Sequence, residues 1–217
     1  MGVRNIAKGR ECLQKLQDRH PQGVLTLVEL DVTSDDSISA AAKTLTADYG
    51  RLDVLINNAA ICHKDNRLPR SEIHATFDAN VFGPMLLTRA LTPLLKASKA
   101  PKVINVTSEL GSIGLRSDPT AKSYHTEYDA YRMSKAALNM LTAVHNHELG
   151  KFGCKVWSYC PGFVITHLTG EDDHLWKKPA GAESSETSAQ GIVEILEGKR
   201  DGEVGTFIAR YGEGYPW

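Results

Sequence analysis

The sequence predicts an α/β fold built on a doubly wound parallel sheet. Short runs rich in Val, Ile and Leu alternate with longer stretches of helical period, and polar clusters recur just past the ends of those runs. Alternation of this kind implies right-handed crossovers, hence a sheet covered on both faces with its binding chemistry beyond the carboxyl ends of the strands. A length of 217 residues, 41% of them apolar and 24% charged, suits one domain spanning 1–217.

Taken in order, Ile6 to Arg19 reads as a short amphipathic helix with Ile6, Leu13 and Leu16 on one side, ended by Pro21-Gln22-Gly23. Val24 to Leu30 reads as a strand running into Asp31-Val32-Thr33-Ser34, where Thr33 or Ser34 caps a helix reaching Tyr49. Asp53 to Asn57 is a short apolar strand of the kind buried on both faces. Glu72 to Lys96 reads as a long helix, with Phe77, Val81, Leu86 or Leu87, and Leu91 at helical spacing and Pro84 and Pro93 as points of kinking or early termination. Lys102 to Val106 is another buried strand.

Tyr128 to Leu149 reads as a helix whose stripe of Met133, Ala136, Ala137, Met140, Leu141 and Val144 faces the sheet. Lys155 to Tyr159 is a strand ending in Cys160-Pro161-Gly162. The polar stretch from Thr166 to Ser185 reads as a mobile loop or lid, followed by a helix over Glu186 to Leu196 and a strand over Gly205 to Ala209. No internal repeat interrupts the pattern.

A net charge of -1 and a pI near 6.7 provide no basic field for nucleic acid and no acidic tail for a basic partner. Cys12, Cys62, Cys154 and Cys160 are scattered without a C-x-x-C pair and read as reduced thiols. Neither a signal-peptide pattern nor an apolar run of about 18 residues is present, which points to a cytoplasmic protein without a membrane partner. Asn105-Val106-Thr107 matches a glycosylation sequon but falls in a buried strand, and His145 and His147 lie two apart on a helix, facing different sides, so no metal site is expected.

Chemistry enters with Tyr131 and Lys135. Four residues apart in a helix, they share a face, and an ammonium beside a phenol favours the phenolate, lowering the phenol pKa from about 10 toward neutrality. Other polar groups follow the strands: Asp31, Asn57-Asn58, Thr107-Ser108 and Pro161-Gly162. Taken singly, each has an ordinary use. Ser108 would be a cap or turn residue, Asn80 a solvated helix residue, Pro161-Gly162 a turn, Asn57-Asn58 a strand end and Asp31 a helix cap. Ordinary uses do not account for all of these clusters in order at successive strand ends.

Asn57-Asn58-Ala59-Ala60, Asn80, Ser108, Tyr131-x-x-x-Lys135 and Pro161-Gly162-x-Val164-x-Thr166 stand in the order and spacing of the classical short-chain dehydrogenase/reductases, which the chain resembles over essentially its whole length. Lys102 through Ser108, with Gly111-Ser112-Ile113, and Tyr131 through Leu141 look most like the carbonyl reductases related to sniffer and the bacterial C-factor. The resemblance implies a Rossmann-like dinucleotide-binding fold and a carbonyl/alcohol oxidoreductase acting on a small molecule; a homo-oligomer is compatible with the sequence, which does not fix the oligomeric state.

The same resemblance implies roles. Tyr131 would exchange a proton with the carbonyl oxygen; Lys135 would lower the Tyr131 pKa and, with Tyr131, hold the nicotinamide ribose; Ser108 would hydrogen-bond the substrate oxygen; Asn80 would keep a helix open around a proton-relaying water. Asp31 and Val32 would flank the adenine, Asn58 and Ala59 would line the cofactor backbone, and Pro161, Gly162, Val164 and Thr166 would hold the carboxamide. Arg4, in a stretch resembling the residues after the family's second strand, would recognise a 2'-phosphate, pointing to NADP over NAD.

One departure stands out: the family's phosphate-binding turn of three glycines has no counterpart, since Gly2 and Gly9 lack its spacing and a preceding strand. By this resemblance the chain is N-terminally truncated, a partial domain without the first two strands and first helix. It is therefore expected to bind cofactor poorly and to be unstable, or to be a fragment of a longer product. A second expectation follows, that of a catalytically impaired or non-catalytic relative acting through association.

Overall fold

The structure, a computed structural model, describes residues 1–63, 67–170, 172–212 and 214–217. It begins with β1 (Gly2–Val3), a strand where the sequence showed none, paired in parallel with β2 (Val28–Glu29). Between them α1 (Ile6–Gln17) starts at Asn5, whose side chain accepts the Lys8 amide. Only two residues of the expected Val24 to Leu30 strand join the ladder, and Val24 is exposed. α2 (Asp35–Tyr49) is capped by the Ser34 hydroxyl and stops at Gly50, where φ is 64° and a side chain would be strained.

β3 (Val54–Asn57) is followed by α3 (Arg70–Phe77) and α4 (Gly83–Lys96), which the sequence read as one helix. Neither proline divides them. Pro84 occupies the first turn of α4, where a missing N–H costs nothing, and Pro93 lies inside a helix that runs on to Lys96. The interruption is instead a π-helical segment, Asp78–Phe82, closed by the Gly83 amide on the Asp78 carbonyl.

Next come β4 (Lys102–Val106), a 3₁₀ turn (Glu109–Gly111), α5 (Ile113–Ser117) and α6 (Asp129–Leu149). β5 (Lys155–Cys160) leads to α7 (Asp173–Lys177) in the expected lid, then α8 (Ser185–Leu196) and β6 (Phe207–Ala209). Residue 171 of the lid and residue 213 of the tail fall outside the described residues. Among the described residues, no helix is long and apolar enough to cross a membrane.

β3, β4, β5 and β6 form a parallel sheet in that order. Among the described residues β1–β2 forms a separate sheet, and Ile56 on the edge strand β3 is 39% exposed. Successive residues of a strand face opposite sides, and here they feed two cores. Val103 and Val156 pack with Leu87, Leu91 and Leu95 of α4, whereas Ile104 and Trp157 pack with Ile195 of α8. Full burial of one such Leu or Ile contributes about 1.5–3 kcal/mol. The sheet is therefore covered on both faces, as the doubly wound α/β fold requires.

The expected stripe on α6 is corrected in part. Leu141 is buried as expected, but Met133, Met140 and Val144 are 52%, 67% and 42% exposed, and the buried face also carries Ser134, Lys135, Leu138, Asn139, Thr142 and His145. This face is polar because it hydrogen-bonds the sheet, which a count of apolar residues misses. His145 is buried with its Nδ1 unpartnered, and burial pushes its pKa down to about 4. Its ordinary value is 6.5, so the unfolded chain binds the extra proton between pH 6.5 and about 4 and stability falls as pH drops through that window. Between pH 7 and 4 the melting temperature of the parent should therefore fall by on the order of 5 °C more than that of His145→Leu. Equal pH dependence in thermal melts of the two proteins would contradict this.

Candidate active site

A cavity of about 420 Å³ opens beyond the carboxyl ends of β3, β4 and β5. Asn58 and Ala59 reach it from the end of β3, Ser108 from β4, and Pro161, Gly162 and Val164 from β5, with Thr166 beyond them. Tyr131 and Lys135 project into it from α6. The clusters read at successive strand ends thus converge on one space.

Ser108 and Tyr131 line the same cavity, and the Ser108 side chain lies close enough to the phenol to favour its ionised form. Ser108 also accepts the Leu110 amide at 3.2 Å, so its role as cap of the 3₁₀ turn and its place beside Tyr131 coexist. Lys135 is 2% exposed; its Nζ donates to the Val106 carbonyl at 2.9 Å and lies 5.4 Å from the centroid of the Tyr131 ring. The expected lowering of the Tyr131 pKa is corrected by this geometry. Burial, reinforced by the Cys62 and Cys160 thiols, pushes the phenol well above its ordinary range, and the nearby Ser108 side chain opposes them only weakly. Burial likewise brings the Lys135 ammonium down to about 8. Its charge sits against the ring and the Val106 carbonyl, while the phenol has lost the water that would stabilise its ionised form.

Asn80 is fully buried outside the cavity lining, in the π-helical segment. Its side chain accepts the Ile61 amide and donates to the Ile61 carbonyl, both at 2.9 Å, and donates to the Ser134 hydroxyl at 3.0 Å. Ser134 in turn donates to the Tyr131 carbonyl. Asn80 therefore ties the segment after β3 to the turn of α6 that carries Tyr131. A π-helical opening is a frequent mark of a functional position.

Arg4, Asp31 and Val32 are not brought to this cavity. Asp31 follows β2, and its carboxylate accepts both the amide and the hydroxyl of Thr33, which hold it below the usual carboxylate range, with a smaller contribution from Arg4. The Val32 side chain packs on Gly83, where an added Cβ would come within 2.8 Å of it. Several lining residues carried no signal in the sequence: Cys62, Tyr128, Phe163 and Lys177. Phe163 and Trp176 stand 5.9 Å apart between ring centroids, and Asp173 of α7 accepts from Thr169, Trp176 and Lys177, fastening the lid over the opening.

A sequence model described as short chain dehydrogenase matches residues 2–175. The chain belongs to the short-chain dehydrogenase family. Over 175 residues it is 39% identical to the short-chain dehydrogenase anuI of Penicillium roqueforti, a match spanning 78% of this chain and 66% of that relative. Over 172 residues it is 33% identical to C-signal of Myxococcus xanthus, spanning 77% and 94% respectively. Carbonyl reductase from chicken fatty liver, bound to NADPH, superposes with a TM-score of 0.80 at 29% identity over 95% of this chain and 82% of that one. For carbonyl reductase Sniffer of D. melanogaster the TM-score is 0.79 at 26% identity, over 100% and 86%.

Short-chain dehydrogenases use nicotinamide cofactors, and the donor set of this cavity fits one end of such a cofactor. The Lys135 ammonium and the hydroxyls of Tyr131 and Thr166 suit ribose hydroxyls and a carboxamide, and at Gly162, with φ of 83°, the backbone turns into the opening. Lys135 also makes the site a stability liability. Its pKa of about 8 lies below the ordinary 10.5, so its charge costs most below pH 8 and the cost is relieved as pH rises from 8 to 10.5. Lys135→Met should raise the melting temperature at pH 6 by on the order of 5 °C, with the gain shrinking above pH 8. A variant less stable than the parent at both pH values would show that the bond to Val106 outweighs the buried charge.

Proposed function

We propose that the protein is an NADP(H)-dependent oxidoreductase, carbonyl reductase-like, interconverting a carbonyl and an alcohol on a small molecule. The observation that carries this reading is the convergence of Ser108, Tyr131 and the buried Lys135 on one cavity. Ser108 binds the carbonyl oxygen, and Tyr131 gives that oxygen its proton in reduction or takes it back in oxidation. The raised phenol pKa keeps Tyr131 protonated at neutral pH, loaded as an acid until an oxyanion forms beside it. Lys135 supplies the positive charge that compensates the resulting phenolate, and Asn80 holds the backbone of this turn in place.

Bound nicotinamide supplies or accepts the hydride. Asn58, Ala59, Tyr131, Lys135, Pro161, Gly162, Val164 and Thr166 would hold it, with Asp31 and Val32 toward the adenine. The proximity of Arg4 to Asp31 supports an NADP preference, as does the similarity to a reductase bound to NADPH. We place the protein in the cytoplasm, and the exposed Met133, Met140 and Val144 face of α6 supports association with a second copy.

A second reading, a catalytically impaired relative acting through association, is favoured by one observation. Among the described residues no glycine-rich turn borders the cavity, and the β1–β2 sheet is not hydrogen-bonded to the edge of β3. Titration with NADPH separates the two: micromolar affinity with a cooperative melt rejects the second reading. Under the first, Tyr131→Phe lowers turnover by about 10²–10⁴-fold and leaves NADPH affinity nearly unchanged. Retained turnover in Tyr131→Phe would rule out Tyr131 as the proton donor.

A further inference from the structure

Arg132 follows Tyr131 in α6, and its side chain is buried, away from the reacting hydroxyls. Its guanidinium donates in three directions. Nε reaches the carbonyls of Thr126 at 2.9 Å and Glu127 at 3.3 Å, Nη1 reaches Leu110 at 3.1 Å, and Nη2 reaches Ser123. Three of these carbonyls belong to the segment that ends in Tyr128, a wall of the cavity. The fourth belongs to the 3₁₀ turn that begins one residue after Ser108.

A buried cation is costly unless its donors are well met. The other buried arginine, Arg200, meets the carboxylates of Glu203 and Glu194. Arg132 meets main-chain carbonyls from two segments, so what it senses is backbone position. The planar fork of a guanidinium can hold carbonyls lying in several directions at once, whereas a lysine ammonium at the same place is a compact donor on a flexible stem.

We infer that Arg132 is a positioning residue for the Ser108–Tyr131 pair: it fixes the turn behind Ser108 and the 118–128 segment to the first turn of α6, and so sets the separation of the two hydroxyls. Two further observations bear on this. Tyr128 has φ of 73° and ψ of 50°, a left-handed conformation that a tyrosine keeps only where its surroundings hold it. Arg132 does so through its amide on the Tyr128 carbonyl at 2.8 Å and its side chain on the two preceding carbonyls. The 3₁₀ turn, moreover, lies hard against α6 at Gly111, where an added Cβ would come within 2.7 Å of the Lys135 backbone, and Asn139 donates to the Gly111 carbonyl. Packing docks the turn at Gly111, and Arg132 docks it at Leu110, nearer to Ser108.

This inference rests on the oxidoreductase reading, and its test is arranged so that the two can fail separately. Arg132→Lys and Arg132→Ala are compared with the parent chain by NADPH titration, by steady-state reduction of 4-nitrobenzaldehyde, and by amide hydrogen exchange. A misplacement of about 1 Å costs on the order of 10²-fold, so kcat should fall about 10²-fold in Arg132→Ala and about 10-fold in Arg132→Lys, with NADPH affinity changed less than about threefold. Amides over 108–128 should exchange faster in both variants while those of β4 and β5 stay protected, and added guanidinium ion should restore part of kcat to Arg132→Ala only. Parent-like kcat and parent-like exchange in Arg132→Lys would overturn the inference. If Arg132→Ala unfolds globally, Arg132→Lys decides alone. If the parent reduces no carbonyl, the oxidoreductase reading fails and exchange over 108–128 decides the clamp: protection unchanged in Arg132→Lys overturns it, and selective loss supports it.

Discussion

The active cavity depends on a layer of buried hydrogen bonds between the sheet and α6. On the α4 side of the sheet β3, β4 and β5 each change character along their length: Leu55 gives way to Asn57, Val103 to Asn105 and Thr107, and Val156 to Ser158. The apolar halves pack on α2 and α4. The polar halves bond outward and sideways: Asn57 donates to Asn105 and to Thr88 of α4, Asn105 donates to Thr142 of α6, and the Thr107 and Ser158 hydroxyls both donate to Asn139. Each bond contributes only about 0.5–1.5 kcal/mol net, but loss of one partner strands the other at about 1–3 kcal/mol. Asn139 and Thr142 therefore fix α6 in rotation and height more sharply than apolar packing would. Lys135 and Tyr131 lie on the same face one and two turns earlier, and inherit that register.

This layer also explains what the sequence made legible. Lys102 to Val106 was readable as a strand because Val103, Ile104 and Val106 are apolar and β-branched, and its structural bounds agree. The existence of α6 was equally plain, but not its phase, because the buried face is polar and the exposed face carries methionines. The division between α3 and α4 left no trace in composition, since a π-helical turn needs only an altered hydrogen-bond step and the nearby prolines point elsewhere. β1 is a two-residue strand, below the length at which periodicity registers, and β2 was read from Val24 to Leu30 although only Val28 and Glu29 join the ladder.

The site was legible where residues sit at strand ends. Asn58, Ser108, Pro161 and Gly162 are placed by the topology itself, because each follows a strand whose end borders the cavity. Cys62, Tyr128, Phe163 and Lys177 line the same space from segments without period, and nothing in residue type distinguishes a left-handed tyrosine. Arg4, Asp31 and Val32 lie outside this cavity, where the Asp31 carboxylate accepts from Thr33, the Val32 side chain packs on Gly83 and Arg4 is exposed.

Burial acts on Tyr131 and Lys135 in opposite chemical senses. It raises the phenol and lowers the ammonium, so each group is driven toward its neutral form. In the proposed reaction, a negative charge developing next to Ser108 would favour the protonated Lys135 and draw the Tyr131 proton at the same moment. Alignment then matters more than the ground-state acidity of either group. On the proposed reading both hydroxyls would meet the same oxygen, and the groups that hold their backbones are not those that titrate: the Asn139 anchor under α6, the Asn80 tie to Ser134, and the turn at Leu110 behind Ser108. The chemistry proposed for the site would thus belong to three side chains, and its geometry to the buried polar groups that hold their backbones.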